Sequence, residues 1–283
     1  MSNRVVVTGN GPSMREIDYS LLPKDYDVFR CNEFYHEREY FIGKKIKAVF
    51  FRIDDFFEQY YMMYKLIQNG DYECENIAFK KYNFQDRKEK IFCDNFRYFF
   101  PAAINAYDEY FSKLKKLSDY IDFNVCYNFE RKEMLTGTYA ICCAVACGYK
   151  EIYLAGMDLF ENKEQDAYFY GKGYGIIESI HNKNKDLEII KFLQDNYDVK
   201  FFSICPTSPI NNYIPLGKEQ NNQEFIILKK PNTAILKKIL PSKKAKLRYK
   251  RIYLTSNSFI DFIYNILRAP RAIKRYLNNR YQR

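Results

Sequence analysis

Short apolar runs alternate with longer segments of helical periodicity along most of the chain. Runs rich in Val, Ile and Phe and bounded by turn residues predict strands; they cover residues 4–8, 27–32, 47–51, 76–79, 152–159 and 200–204. Apolar positions three and four residues apart predict helices at 54–69, 86–100, 106–120, 136–148 and 181–193. Strands that alternate with helices are typical of a parallel sheet covered by helices. The pattern therefore predicts an α/β fold.

The first predicted strand stops at a tight glycine turn, Gly9-Asn10-Gly11. Glycines let the backbone bend and come close to a ligand, and Ser13 is placed to cap the next helix. Such a turn is typical of nucleotide-binding sites. A dinucleotide fingerprint needs a third glycine where Met14 stands, and this favours a mononucleotide over NAD. An ordinary strand-to-helix turn explains the motif equally well on its own.

Polar side chains follow several predicted strands. Asn32 and Glu33 follow the second strand, Arg52 follows the third, and Asp158 stands near the end of the fifth. Ligands bind beyond the carboxyl ends of parallel strands, so these side chains are expected beside the first turn. Gln59 is the polar residue best suited to face a ligand on its aromatic helix, although the aromatic stripe itself is typical of core packing.

Two later segments add candidate chemistry. Thr136 is placed to cap a helix, and a helix start can bind an anion. The polar segment that begins at Phe160 contains alternating glycines near its end, which is typical of a mobile lid. His181 stands where this segment meets the next helix. Its position is compatible with a catalytic base and with a structural histidine alike.

Composition limits the class of protein. The chain has 283 residues, 47% of them hydrophobic, which is enough for a substantial core. Its eight cysteines include no CxxC pair, and it has only two histidines, so no metal site is expected. Cysteines scattered through apolar stretches are typical of reduced thiols, and no signal peptide is expected before the first strand. A cytoplasmic protein is predicted.

Positive charge is concentrated near one end of the chain. Residues 229–283 contain sixteen Lys or Arg and one acid, Asp261, whereas the remainder holds 29 basic and 34 acidic residues. A one-sided apolar helix is predicted at 258–267, before a short basic segment. Such a sequence suits an anionic membrane surface. A basic helix docked on the protein body is the alternative, and nucleic acid is not an expected partner because no binding module accompanies the charge.

Several segments match one known family. They are GNGPSMREIDYSLLP from Gly9, DVFRCNEFYHEREYFIGKKIKAVFF from Asp27, FFEQYY with LIQN, GYKEIYLAGMD, and LRAPRAIKRYL in the tail. Together they resemble the bacterial lipooligosaccharide sialyltransferases of glycosyltransferase family 42, of the Campylobacter type. The similarity covers most of residues 3–210 and returns in the tail.

The resemblance implies a Rossmann-like, mostly parallel sheet of a GT-A-like variant, with a lid and a basic helical tail. We expect a nucleotide-sugar domain at 1–159 and 182–217, a lid at 160–181, and a membrane-associating tail at 218–283. The resemblance further implies a homotetrameric, inverting enzyme at the inner face of the bacterial inner membrane. It would transfer sialic acid from CMP-sialic acid to a galactose or sialic acid on a glycolipid or other glycan, without a metal or other cofactor.

The resemblance also implies roles for individual residues. His181 corresponds to the general base that takes the proton from the acceptor hydroxyl. Tyr168, or alternatively Tyr170, corresponds to a lid tyrosine that hydrogen-bonds the departing phosphate. With the first turn and the strand ends included, the expected substrate-binding residues are Asn10, Gly11, Ser13, Asn32, Glu33, Arg52, Gln59, Arg131, Thr136, Gly137, Asp158 and Phe160.

Four of these positions depart from the family pattern. Phe160 stands where the family has a second phosphate-binding tyrosine, and Arg52 and Glu33 stand where it usually has Asn and Gln. The arginine that the family places before the pair at Thr136-Gly137 has no in-register equivalent here, because Glu133 stands at that position. Arg131 would take its place only with a small insertion. These departures leave open a donor with another nonulosonic or keto-deoxy sugar on CMP, and a nucleotide-binding relative that has lost catalysis.

Overall fold

The structure is a computed structural model. It describes residues 2–83, 92–94, 96–97, 99–122, 133–160, 168–171, 183–220 and 225–231, together with 259, 262–263, 266–267 and 269–270. The chain divides into two compact units, Met1–Phe84 with Phe96–Leu240, and Gln85–Asn95 with Pro241–Arg283. The first unit contains the sheet and the candidate site.

Seven parallel strands form one sheet in the order β5-β4-β3-β2-β1-β6-β7. Their bounds are β1 Arg4–Thr8, β2 Asp27–Cys31, β3 Lys45–Arg52, β4 Glu73–Lys80, β5 Ala103–Asn105, β6 Glu151–Ala155 and β7 Lys200–Ser203. The predicted parallel α/β sheet is confirmed. β5 was not predicted because three residues are too few for a recognisable pattern. β6 is shorter than predicted because Gly156, with φ of +62°, turns the chain.

Five α-helices lie entirely within the described residues. They are α1 Phe56–Gln68, α2 Ala106–Glu109, α3 Lys115–Ile121, α4 Thr136–Ala146 and α5 Lys183–Asn196. The helix predicted at 106–120 is interrupted by a 3-10 turn at Phe111–Lys113. The segment after the first turn, Pro12–Glu16, is also a 3-10 turn. Of the helix predicted at 86–100, residues 92–94, 96–97 and 99 are described and are helical.

Alternate residues of β1 pack on opposite faces of the sheet. Val5 and Val7 belong to a core that includes α4, whereas Val6 packs on the other face with Met14. Each fully buried side chain of this kind contributes about 1.5–3 kcal/mol. Every residue from Thr136 to Val145 is buried, and α4 contacts β1, β2 and β3. The start of α4 is therefore held firmly at the carboxyl edge of the sheet.

In the second unit, the described part of the predicted tail helix is helical. Its large apolar side chains are exposed at Phe259, Phe262, Ile263, Ile266 and Leu267. Across the ranges that the structure describes, we find no helix with the length and apolar character needed to cross a bilayer.

Candidate active site

The loops after β1 and β6 meet where the order of the sheet reverses. The Gly9 amide donates to the Ala155 carbonyl over 2.8 Å, and the Gly11 amide donates to the Gly156 carbonyl over 2.9 Å. A Cβ at Gly9 would lie 2.3 Å from the Gly156 carbonyl oxygen, so the close approach of the loops requires glycine. Ligands bind at such switch points of open parallel sheets, and a cleft lies there whose empty space, with the open solvent at its mouth included, is about 1040 Å³.

Asp158 fixes the first turn against the β6 loop. Its carboxylate accepts hydrogen bonds from the Ser13 amide at 2.9 Å, the Ser13 hydroxyl at 2.5 Å and the Ser208 hydroxyl at 2.7 Å. The predicted capping role of Ser13 is wrong, because Gly11 is the N-cap of the 3-10 turn and Ser13 is committed to Asp158. Asp158 and Gly11 line the cleft, whereas Ser13 supports its wall.

Asn10 and Asn32 lie side by side in the cleft, as expected from the strand ends. The Asn10 side-chain amide donates to the Cys31 carbonyl over 3.0 Å. The side-chain oxygens of both asparagines are buried and have no hydrogen-bond partner among the residues that the structure describes. Asn32 has φ of +49°, a conformation in which asparagine is enriched. These two oxygens are acceptors available to a ligand.

The start of α4 forms another wall of the cleft, with Leu135, Thr136 and Gly137 in the lining. The N-cap residue is Leu135, whose side chain makes no cap hydrogen bond. Thr136 is therefore the first helical residue rather than the predicted cap. The amide groups and the positive end of the helix dipole favour an anion at this point.

Asp186 in the first turn of α5 supports the start of α4. Its carboxylate accepts a hydrogen bond from the Leu135 amide at 2.9 Å. Because Asp186 is fully buried, desolvation raises its pKa to about 6. The carboxylate thus links the two helix starts.

Lys80, the last residue of β4, is a buried cation in the cleft lining that the sequence analysis missed. Its ammonium donates to the Met134 carbonyl over 2.7 Å and pairs with the Glu133 carboxylate at 3.0 Å. The same ammonium lies 5.2 Å from the centre of the Tyr82 ring. The rule that predicted Arg52 at a strand end applies equally to Lys80 and would have found it.

Aromatic residues of the predicted lid close one side of the cleft. Phe160 and Tyr168 line it and pack edge to face, with ring centres 6.1 Å apart. Tyr170 stacks on Tyr168 at 5.2 Å but is not part of the lining. The Phe169 amide donates to the Asn10 carbonyl over 2.9 Å, so these aromatic residues are attached directly to the first turn.

The remaining predicted residues have different positions. Arg52 lines the cleft and pairs with Asp54 at 3.2 Å. Burial raises the pKa of the Tyr168 hydroxyl, and Glu33 lies close enough to raise it further. Gln59 is buried in α1 outside the cleft lining. Arg131 and His181 lie outside the described residues, and their roles stay predictions.

Taken together, a glycine turn, a helix start, a buried lysine and unpaired amide oxygens suit a ligand that is both anionic and polar. The described residues include no group of three or more His, Cys, Asp or Glu that could hold a metal ion. The fold and site define an open α/β protein with a nucleotide-type cleft at its switch point.

Comparison with known proteins identifies the family. Residues 3–280 match the family model of the CST-I alpha-2,3-sialyltransferases. The chain belongs to this family, and this makes it a sialyltransferase-type glycosyltransferase, as the sequence resemblance indicated.

Solved structures show the same relationship. The sialyltransferase CstII from Campylobacter jejuni, in complex with the substrate analogue CMP-3FNeuAc, is 38% identical with a TM-score of 0.75, over 88% of this chain and 99% of that one. CST-II in complex with a trisaccharide acceptor and CMP is 39% identical with a TM-score of 0.74, over 87% and 98%. The monofunctional alpha-2,3-sialyltransferase Cst-I from Campylobacter jejuni is 33% identical with a TM-score of 0.76, over 96% and 95%.

Proposed function

We propose that this protein transfers sialic acid from CMP-sialic acid to a galactose or sialic acid of a glycan acceptor, with inversion at the anomeric carbon. The observation that supports this most is the switch-point cleft, with its glycine turn and helix start, in a chain of this family. The complexes of CstII with CMP-3FNeuAc and of CST-II with a trisaccharide and CMP support a donor and a glycan acceptor of these kinds.

Departure of CMP requires stabilisation of the negative charge that develops on its single phosphate. Burial raises the pKa of Tyr168, so its hydroxyl remains protonated at neutral pH and can donate a hydrogen bond. Tyr168 is the preferred candidate over Tyr170, because Tyr168 lines the cleft. Hydroxyl and backbone donors of this kind stabilise a leaving phosphate without a metal ion, and we propose that the reaction is metal-independent.

The acceptor hydroxyl must lose a proton as it attacks. We propose His181 as the general base, from its match to the family motif and its position directly before α5. The imidazole takes the proton while the new carbon–oxygen bond forms on the face opposite CMP, and the bond to the phosphate breaks. Inversion follows from this single displacement.

The sugar specificity depends on residues that differ from the family pattern. Arg52 lines the cleft, and both Arg52 and Glu33 are close enough to Tyr168 to influence its pKa. We propose that they contact the donor or acceptor sugar. A related nonulosonic or keto-deoxy sugar on CMP is the second candidate donor, and the charge of Arg52 favours an acidic sugar in either case.

We further propose that residues 218–283 attach a homotetrameric enzyme to an anionic membrane at the inner face of the inner membrane. The exposed apolar positions Phe259, Phe262, Ile263, Ile266 and Leu267 and the surrounding basic sequence support this. Removal of residues 245–283 should reduce sedimentation with phosphatidylglycerol vesicles, and added salt should weaken binding of the full chain. Equal sedimentation of both chains would contradict the proposal.

The function is tested by incubating the full chain with CMP-sialic acid and a panel of lactose-type and sialylated acceptors, with and without EDTA. We expect a sialylated product by mass spectrometry at equal rates in both conditions. Product only from a different CMP-sugar would reassign the donor. Binding of CMP without any product would favour the relative that has lost catalysis, and loss of product in EDTA would refute metal independence.

A further inference from the structure

Lys80 has an unusual environment for a lysine. The residue is only 8% exposed, although lysine is almost never buried unless it is paired. It ends β4 and faces the same cleft as the start of α4. A charge in this position needs a compensating partner, because desolvation of an ammonium costs several kcal/mol.

Among the described residues, the hydrogen-bonded partners of Lys80 include no buried charge. The Met134 carbonyl at 2.7 Å is neutral. The Glu133 carboxylate at 3.0 Å carries the opposite charge, but that side chain is 44% exposed, whereas the lysine side chain is 7% exposed. Since an ammonium has three donors, one N–H remains for a further acceptor once these two are satisfied.

The surroundings of Lys80 favour a carboxylate as that acceptor. Its bonded partner Met134 is two residues before Thr136, so the ammonium lies beside the start of α4. The first turn of α4 contains no acidic residue. The buried Asp186 carboxyl, whose pKa burial raises and the Lys80 charge lowers in part, is hydrogen-bonded to the Leu135 amide instead. A buried cation and the positive end of a helix dipole thus act on the same part of the cleft.

We propose that Lys80 is a specificity-determining donor-binding residue, whose ammonium pairs with the carboxylate of the CMP-linked sugar. This rests on the proposed function, since it requires a CMP-linked acidic sugar in the cleft. Glu133 keeps the ammonium paired when no sugar carboxylate is present, and its negative charge repels that carboxylate when it binds. Lys80 thereby distinguishes an acidic sugar from a neutral one, and Glu133 limits the affinity for the donor.

The test compares ligands with and without the carboxylate. Calorimetry measures the Kd of CMP-3FNeuAc and of CMP for the wild-type chain and for Lys80→Met, which retains length but not charge. We expect the affinity for CMP-3FNeuAc to fall roughly 10- to 100-fold, as for loss of a charge-assisted hydrogen bond. The affinity for CMP should change less than about twofold. Lys80→Arg should restore much of the difference.

A second variant, Glu133→Gln, has the opposite expectation. It removes a negative charge beside the sugar carboxylate, so the affinity for CMP-3FNeuAc should rise about threefold while the affinity for CMP stays the same. Equal losses for both ligands in Lys80→Met would make Lys80 a structural residue and overturn the proposal. Unchanged affinity for both ligands would also overturn it. Failure of the wild-type chain to bind either ligand would instead refute the proposed function, and the Lys80 assignment with it.

Discussion

Ser13 and Asp158 are 145 positions apart in the chain, yet two hydrogen bonds join them, from the Ser13 amide at 2.9 Å and from its hydroxyl at 2.5 Å. Ser208 adds a third at 2.7 Å. The loops after β1 and β6 and the turn after β7 thus meet at one carboxylate. This contact holds the first turn in place, although no capped α-helix follows it.

Asp158→Ala should therefore destabilise the site. It leaves a buried amide and two hydroxyls without an acceptor, and we expect the free energy of unfolding to fall by about 2–4 kcal/mol. Ser208→Ala, which removes only one of the three donors, should cost about 1 kcal/mol. Urea unfolding followed by circular dichroism measures both. Equal stability of wild type and Asp158→Ala would contradict the anchoring role.

Two substitutions in the lid should change kcat in opposite directions, because one removes a hydroxyl and the other adds one. Tyr168→Phe should lower kcat on the order of 100-fold, because a hydrogen bond to the leaving phosphate is lost. Phe160→Tyr, at the adjacent cleft position, should raise kcat up to about tenfold by adding a second donor. Tyr170→Phe is the control, with less than about a threefold effect. A larger loss in Tyr170→Phe than in Tyr168→Phe would exchange their roles.

The raised pKa of Asp186 should make the stability of the fold depend on pH. Its pKa of about 6 in the folded protein exceeds the ~3.9 of an unfolded chain, so the folded state holds this proton more tightly. The free energy of unfolding contributed by this group should fall by up to about 3 kcal/mol as pH rises from about 4 to about 6. Asp186→Asn should abolish that fall.

Asp195→Asn is the matched control for Asp186, since Asp195 lies on the same helix in an exposed ion pair with Lys191. This variant should keep the pH dependence of the wild type. Thermal unfolding at a series of pH values measures all three proteins. A fall that persists in Asp186→Asn would show that another group causes it.

If His181 is the general base, its removal should impair catalysis and leave CMP binding intact. His181→Ala should lower kcat by roughly 10²- to 10⁴-fold, while the calorimetric Kd for CMP stays within about twofold. His36→Ala is the matched control, because His36 packs against Tyr35 and Tyr170 and is not part of the cleft lining. Comparable transfer rates in His181→Ala and the wild type would refute the assignment.

The sequence predicted the sheet and its ligand edge because both follow from simple periodicity. Apolar runs marked six of the seven strands, and the rule that parallel strands share an edge placed Asn10, Asn32 and Arg52 together correctly. Lys80 was not predicted, although it directly follows the predicted strand 76–79 and the same rule covers it.

Other features depend on contacts that periodicity does not contain. The pairing of Ser13 with Asp158 is set by the conformations of two loops distant in sequence. Helical spacing does not tell which side of α1 is covered. The structure buries Gln59 outside the cleft lining, and its expected contact with a ligand stays a prediction. The caps predicted at Ser13 and Thr136 were wrong because neighbouring residues occupy those positions.

The most direct test of the proposed active site is a crystal structure of the full chain with CMP-3FNeuAc. We expect the nucleotide in the cleft between the β1 loop and the start of α4, with the Tyr168 hydroxyl about 3 Å from a phosphate oxygen. We also expect the His181 ring on the opposite side of the anomeric carbon from CMP. A nucleotide bound elsewhere, or a His181 ring remote from the sugar, would contradict the proposed active site.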